Sequence, residues 1–386
     1  MADRVRAGVA LSGVAFFGIG GPLRILITMH AVSDWGGLHE NIYFAAKSLV
    51  SRGHIVDVLC TGTRLPDLLL IAGVNVLRYG LDEDSAATAR RIAAVDSYDL
   101  VYCHPFVARE VGVRVAGILG IPFVASFHGN YLDAYSTWFD RARITTAVSP
   151  ALVNMLCRET NVSPELVVTM RNGVDDQIFD CRILTLDEKL NISSGTYDVV
   201  VLSRLDPDKR LLWDSVFSGM ALLAAQHPGR RWRIRVPGDG NGVSEADRLF
   251  TEFSRHHDNV EVEWLGWMSM SDVPRILRRS SLVFASGRGA AQGIAAGTPT
   301  IATGSQGTFG LQTGRRLDIG LWGNFGGFPI PISPWTDEGD IELVRLFGDY
   351  DSYGIEQVRS RARIAPLLRQ SRIDLELGSL LEQAVG

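Results

Sequence analysis

Cysteine is scarce and scattered: Cys60, Cys103, Cys157 and Cys181 are the only four in 386 residues, with no CxxC pair and no Cys/His ligand spacing. That excludes a disulfide-dense secreted scaffold and a zinc ribbon, and leaves reduced thiols in a cytosolic protein as the expectation. Positive charge in excess is also missing. Lys+Arg total 38 against Asp+Glu 43, a net charge of -5, so long-range attraction to nucleic acid is excluded. Long apolar runs are absent too. Ala7 to Leu23 is uncharged but interrupted by five glycines, and falls short of the roughly 20 residues that span a bilayer. Residues 1–22 are therefore read as an N-terminal extension, expected to be flexible; membrane contact is unsupported. Catalytic signatures are missing as well: no Walker loop, GxGxxG, HExxH, EF-hand loop or Ser/His/Asp order. What remains is a chain with 46% hydrophobic and 21% charged residues, in the soluble globular range and long enough for two or more domains.

The rhythm along the chain is that of a parallel α/β sheet, short apolar runs followed by helix-forming stretches. Leu23–Met29, Ile55–Leu59, Val74–Leu77, Leu100–Cys103, Pro122–Phe127, Arg143–Val148 and Val167–Met170 read as strands of a first unit, with a helix over Asn41–Arg52. The run Asp176–Thr196 lacks periodicity and is turn-rich, and then the pattern restarts. Tyr197–Leu202, Arg231–Val236, Val260–Trp264, Leu282–Ala285 and Thr300–Ala302 are the second series, with a helix over Leu211–Gln226. Apolar strands of the first unit's kind imply helices over both sheet faces. The predicted organisation is an N-terminal Rossmann-like domain over 23–175, a linker over 176–196, a C-terminal Rossmann-like domain over 197–358, and closing helices over 359–386, interrupted near Pro366. Two doubly wound parallel-sheet domains of this sort are expected to face a central cleft, because open α/β sheets bind ligands beyond their strands' carboxyl ends.

Several candidate residues fall at such ends. Gly36-Gly37 separates the first strand from a helix, where glycine permits close backbone approach and a helix start favours an anion. Arg204 and Lys209 lie across a Pro-containing turn after the first strand of the second unit, either converging on one anion or forming a solvated loop offset by Asp206 and Asp208. Gly238, Gly240 and Gly242 suit a nucleotide cradle or a compact turn. Gly287, Arg288 and Gly289 coincide with a predicted helix start, an anion cradle or a tightly packed small-residue helix. His128 ends a strand and could donate to a substrate; His30 and His104 hold comparable positions, and Asp34, Glu40 and Asp133 lie near such ends.

Taken in order, Gly36-Gly37, Phe127-His128-Gly129, Thr146-Ala147-Val148-Ser149, Asn172-Gly173-Val174-Asp175, Ser203-Arg204 with Lys209, Gly238-Asp239-Gly240, Leu265-Gly266-Trp267 and Ala295-Ala296-Gly297-Thr298-Pro299 resemble the motifs of the GT-B-fold group 1 glycosyltransferases, retaining enzymes that use nucleotide sugars. The resemblance runs from about residue 23 to 305. It implies that Gly37, Arg204 and Lys209 hold the donor pyrophosphate with help from the helix start after Gly287. Gly266 would lie by the base and His128 over the sugar. Gly36, Gly238, Arg288, Gly289 and Gln292 complete the implied donor site. Asn172 to Asp175 would be the crossover between domains, and the last helix would return to the first of them. The donor would be UDP- or GDP-linked, with no bound metal or other cofactor, because protein cations and helix dipoles offset the leaving diphosphate.

The sequence departs from the family at one place. A glutamate pair eight positions apart is usual before the GTP segment, but here Gln292 holds the second place and Phe284 the first. Gln292 can still hydrogen-bond ribose hydroxyls. The expected function is cytoplasmic transfer of a sugar to a hydroxyl of a saccharide or natural-product acceptor, with retention. The alternatives are a catalytically silent nucleotide-sugar-binding subunit, a sugar-nucleotide epimerase or a phosphorylase on the same scaffold.

Overall fold

The computed structural model describes residues 4–5, 21–31, 33–79, 83–326 and 337–386; all but the last two residues of the N-terminal extension other than 4–5 lie outside them. The chain divides into two compact units, Met1–Asn172 with Gln370–Gly386, and Gly173–Arg369. Each is a parallel-sheet α/β domain.

The first unit is built on strands β1 (Arg4–Val5), β2 (Arg24–Thr28), β3 (Ile55–Cys60), β4 (Asn75–Arg78), β5 (Leu100–Cys103), β6 (Phe123–Phe127), β7 (Ile144–Ala147) and β8 (Val167–Thr169). They form one sheet in the order β1-β4-β3-β2-β5-β6-β7-β8, parallel except for β1 against β4. Helices α1 (Gly37–Ser51), α2 (Arg64–Ile71), α3 (Ser85–Val95), α4 (Val107–Leu119) and α5 (Pro150–Thr160) connect them. The apolar strand runs are buried, as continuous parallel-strand hydrophobicity requires. One buried charge sits among them. Asp57 in β3 receives Asn75 Nδ2 at 2.7 Å, Tyr98 Oη at 2.8 Å and Arg24 Nη2 at 3.0 Å. Burial alone would raise its pKa; these three donors hold it below the ordinary carboxylate value.

The second unit contains α6 (Asp176–Asp180), α7 (Leu186–Ile192), β9 (Thr196–Leu202), α8 (Arg210–Gln226), β10 (Arg231–Pro237), α9 (Val243–Arg255), β11 (Val260–Gly266), α10 (Val273–Arg279), β12 (Leu282–Ala285), α11 (Gly287–Ala295), β13 (Thr300–Thr303), β14 (Thr308–Leu311), α12 (Gly314–Trp322), α13 (Asp337–Gly348) and α14 (Tyr350–Leu368). Its sheet runs β11-β10-β9-β12-β13-β14. β14, which the sequence pattern does not reveal, pairs antiparallel with β13. Full helical cover does not extend to the β10–β11 edge. There Trp232, Ile234 and Val236 are buried, while alternate residues form an ion-pair lattice: Arg233 to Asp198 at 2.7 Å and Arg235 to Glu263 at 2.8 Å.

Two expected boundaries change. The linker expected over 176–196 is two capped helices of the second unit. Asp175 accepts from Gln177 N at 3.0 Å, and Thr185 with Glu188 forms a capping box on α7. The closing helices expected over 359–386 divide: α14 begins at Tyr350 and stays in the second unit, whereas α15 (Gln370–Val385) belongs to the first. The chain breaks at Arg369, in extended backbone, rather than at Pro366, which remains inside α14. Glu382 of α15 is clamped by Arg52 Nη2 at 2.7 Å and His54 Nε2 at 3.1 Å. Among the described residues no helix is long and apolar enough to cross a membrane, and all four cysteines are free thiols.

Lys189 of α7 is buried, with Nζ donating to Thr298 Oγ1 at 3.0 Å and Tyr353 Oη at 3.3 Å. Burial, and then the nearby Arg278, pushes its pKa well below the ordinary 10.5. In the unfolded chain the amine takes a proton as pH falls through that ordinary value, and the folded chain resists it, so this lysine costs stability progressively as pH drops. Lys189→Met is expected to raise the melting temperature at pH 7 and to flatten its rise between pH 7 and 10. Parallel wild-type and variant melting curves across that range would refute this.

Candidate functional site

Parallel pairing of β9 with β10 and β12 brings several sequence-predicted residues of the second unit to one sheet edge. The loop after β9 carries Arg204 and Lys209. Arg204 Nη1 pairs with Asp206, its Nη2 lies 3.8 Å from Asp208, and Lys209 Nζ lies 2.6 Å from the same Asp208 oxygen. Both cations thus lie within ion-pair distance of Asp208, while the hydrogen bond of Arg204 goes to Asp206. Asp208 is half exposed and Lys209 largely covered.

The glycine string after β10 supports this loop from below. Leu205 N donates to Asp239 O at 2.9 Å and Gly242 N to Leu205 O at 2.6 Å. Asn241 N donates to Asp206 Oδ1 at 3.0 Å, and Gly238 N to Gly266 O at 2.7 Å, tying in the end of β11. Gly238 has φ +137°, and a Cβ there would strike Ser203 O; at Gly240, φ +155°, it would lie 2.7 Å from Leu205 O. These glycines are required by contact between two loops, before any ligand is considered.

The helix start after β12 differs from expectation. Gly287 N donates to Phe325 O and Gly289 N to Ser286 O, each at 3.1 Å, so the anion cradle expected there is not formed by those two N–H groups. Gly289 instead packs α11 on its sheet, where a Cβ would lie 3.3 Å from Leu202 Cδ2. Arg288 and Gln292 are both buried in α11, rather than presented at an open helix end.

In the first unit, Gly36 is the extended cap residue of α1 and Gly37 its first residue. His128 follows β6. Its Nε2 lies 2.9 Å from His104 Nδ1 and 3.0 Å from Ser126 Oγ, and its backbone N–H donates to Tyr131 Oη at 3.0 Å. Beneath the pair, the buried Arg109 guanidinium binds Ser126 O, ion-pairs with Asp133 at 3.0 Å and stacks over the Phe127 ring at 4.1 Å. Burial, with Arg109 adding to it, pulls the His128 pKa down to about 3, and that of His104 well below its ordinary value, there with His128 also contributing. Both imidazoles are therefore neutral at pH 7. Asp34 and Asp133 have local work: Asp34 accepts from Thr63 N at 2.7 Å ahead of α2, and Asp133 from Phe106 N at 2.9 Å ahead of α4. The sequence named His104 and Asp133 only as residues near strand ends, and gave no signal for Arg109, Ser126 or Tyr131. Among the described residues no three His, Cys, Asp or Glu side chains gather where they could hold a metal ion.

Gly238→Ala is expected to cost about 1–3 kcal/mol through left-handed strain and the collision with Ser203 O, read as a lower midpoint in denaturant unfolding. An unchanged midpoint would show that the loop contact is slack.

Residues 35–178 match the family model Glycosyltransferase Family 4. An uncharacterised glycosyltransferase of Methanocaldococcus jannaschii is 25% identical over 327 residues, covering 74% of this chain and 81% of that protein. D-inositol 3-phosphate glycosyltransferase of Nocardiopsis dassonvillei is 33% identical over 115 residues, 25% of this chain and 27% of that one. Among solved structures, a glycosyltransferase from Rickettsia africae superposes with TM-score 0.72 at 16% identity, over 95% of this chain and 99% of the other. Anabaena HepE in complex with UDP and glucose gives 0.68 at 16%, over 93% and 99%. The two parallel-sheet α/β units thus have the fold of the GT-B glycosyltransferases, and residues 35–178 carry the match to a glycosyltransferase family.

Proposed function

We propose that this glycosyltransferase moves a sugar from a UDP-linked donor to a hydroxyl of a saccharide or natural-product acceptor, with retention at the anomeric carbon and without a bound metal. The observation that carries the reading is the seat made by Arg204 and Lys209 around the Asp208 carboxylate. A diphosphate carries more negative charge than one carboxylate and can accept hydrogen bonds from both a guanidinium and an ammonium. In this reading the donor diphosphate displaces Asp208. The bond from the anomeric carbon to the phosphate oxygen breaks with its electron pair going to that oxygen, where the two cations stabilise the charge. The acceptor oxygen bonds to the anomeric carbon, and its proton passes to the departing diphosphate. His128 donates a hydrogen bond to a sugar or acceptor oxygen. The HepE structures with UDP and glucose and with UDP-glucose, on a similar fold, support the choice of UDP.

Arg204→Ala and Lys209→Ala are each expected to lower transfer by about 2–4 kcal/mol of barrier, the scale of one lost oxyanion donor, measured as donor turnover with a panel of acceptors. Asp208→Asn, which removes the competing charge, is expected to tighten UDP binding in calorimetry. Transfer is expected to persist in EDTA, and the anomeric coupling constant of the product to match that of the donor. Near-normal turnover in both cation variants would overturn the reading. UDP-sugar binding with no transfer would favour the silent-subunit alternative, and an isomerised sugar from donor alone would favour an epimerase.

A further inference from the structure

The pairing of β5 with β6 in parallel register, Cys103 opposite Ala125, sets His104 beside the residues leading to His128. The two rings are stacked with centroids 5.0 Å apart. At 2.9 Å between His104 Nδ1 and His128 Nε2, one proton must lie between two nitrogens that would otherwise oppose lone pairs. Ser126 Oγ reaches the same His128 nitrogen at 3.0 Å. His104 is fully buried, and its Nε2 has no hydrogen-bond partner among the described residues.

These contacts choose between two proton placements. A proton on His128 Nε2 would make His104 Nδ1 the acceptor, so the His104 proton would have to sit on Nε2, a buried donor with nothing to receive it. A proton on His104 Nδ1 leaves only a bare lone pair at the buried nitrogen, and lets His128 Nε2 accept from both His104 and Ser126. Buried orphan donors are the rarer defect in proteins. We infer that His104 is a positioning residue, whose Nδ1–H donates to His128 Nε2 and so fixes the His128 proton on Nδ1, the nitrogen outside the pair. His128 then meets its substrate as a neutral hydrogen-bond donor and not as a base. The inference deepens the transfer reading and rests on it for what the Nδ1–H meets.

The groups around the pair agree with this neutral state. From α4 comes the Arg109 guanidinium, balanced by Asp133 at 3.0 Å, and from the loop after β6 comes Tyr131, whose oxygen takes the His128 backbone N–H. Tyr102 of β5 lines the small cavity beside His128 together with Asn41 of α1 and Gln370 and Asp374 of α15. Asp374 Oδ1 accepts from Gln370 Nε2 at 2.8 Å.

The test is nitrogen-15 NMR of the full-length protein labelled at histidine, with His104→Asn and His128→Asn assigning the signals. At pH 7, His128 is expected to be neutral and protonated on Nδ1; protonation on Nε2 overturns the inference. His104→Asn keeps an N–H donor near the Nδ1 position and is expected to hold kcat within about threefold, whereas His104→Leu is expected to lose about 10- to 1,000-fold in kcat with donor KM little changed. His104→Asp offers only an accepting charge, and is expected to shift the His128 proton to Nε2 and raise the acid limb of the pH–rate profile. If His104→Leu melts normally and keeps full kcat, or His104→Asp leaves the profile in place, the positioning role fails. If the NMR result holds but His128→Ala transfers normally, the tautomer assignment stands and the part given to His128 in transfer falls.

Discussion

A parallel sheet sends every strand out through the same edge, and that constraint organises each unit of this protein. In the second unit the ladders from β10 through β9 to β12 leave three loops emerging together, so residues far apart in the chain become neighbours. Backbone hydrogen bonds then lace those loops directly, as from Leu205 N to Asp239 O and from Gly238 N to Gly266 O. The backbone of the loop carrying Arg204 and Lys209 is held by these bonds, and two glycines are needed for the loops to approach that closely. The chemistry proposed for this edge depends on that lacing more than on any one side chain.

Charge is handled differently at different depths. At the loop surface, Arg204 and Lys209 lie against the half-exposed Asp208, and exposed pairs gain little from each other in water. In the interior, Arg109 is stacked on aromatic rings and tied to Asp133, and Asp57 is surrounded by three donors. These buried groups hold backbone and neighbouring side chains in one arrangement. The first unit uses that rigidity to carry an imidazole pair at a strand end.

Much of this was legible in the residues. Strand positions came from apolar runs, since a strand covered on both faces must be apolar throughout, and the two-unit organisation came from the restart after Thr196. The antiparallel β14 was not legible, because Thr308–Leu311 contains a glycine and too few residues to show a period. The supposed linker hid two short helices whose caps, Asp175 and the Thr185–Glu188 box, were present in the sequence but unaccompanied by helical periodicity. At α11 the glycines had two readings, and two of their N–H groups turn out to serve backbone carbonyls.

The sequence by itself determined which residue types reach the strand ends, because alternation, apolar runs and glycine placement act over a few positions. It also carried the resemblance to the glycosyltransferases, through the order of its short motifs. Tertiary structure alone decided which of those residues share a partner. That Gly238 is pinned beneath Ser203 and that His104 faces His128 are consequences of strand register. Register is set by packing across the whole sheet, and no local stretch of chain encodes it.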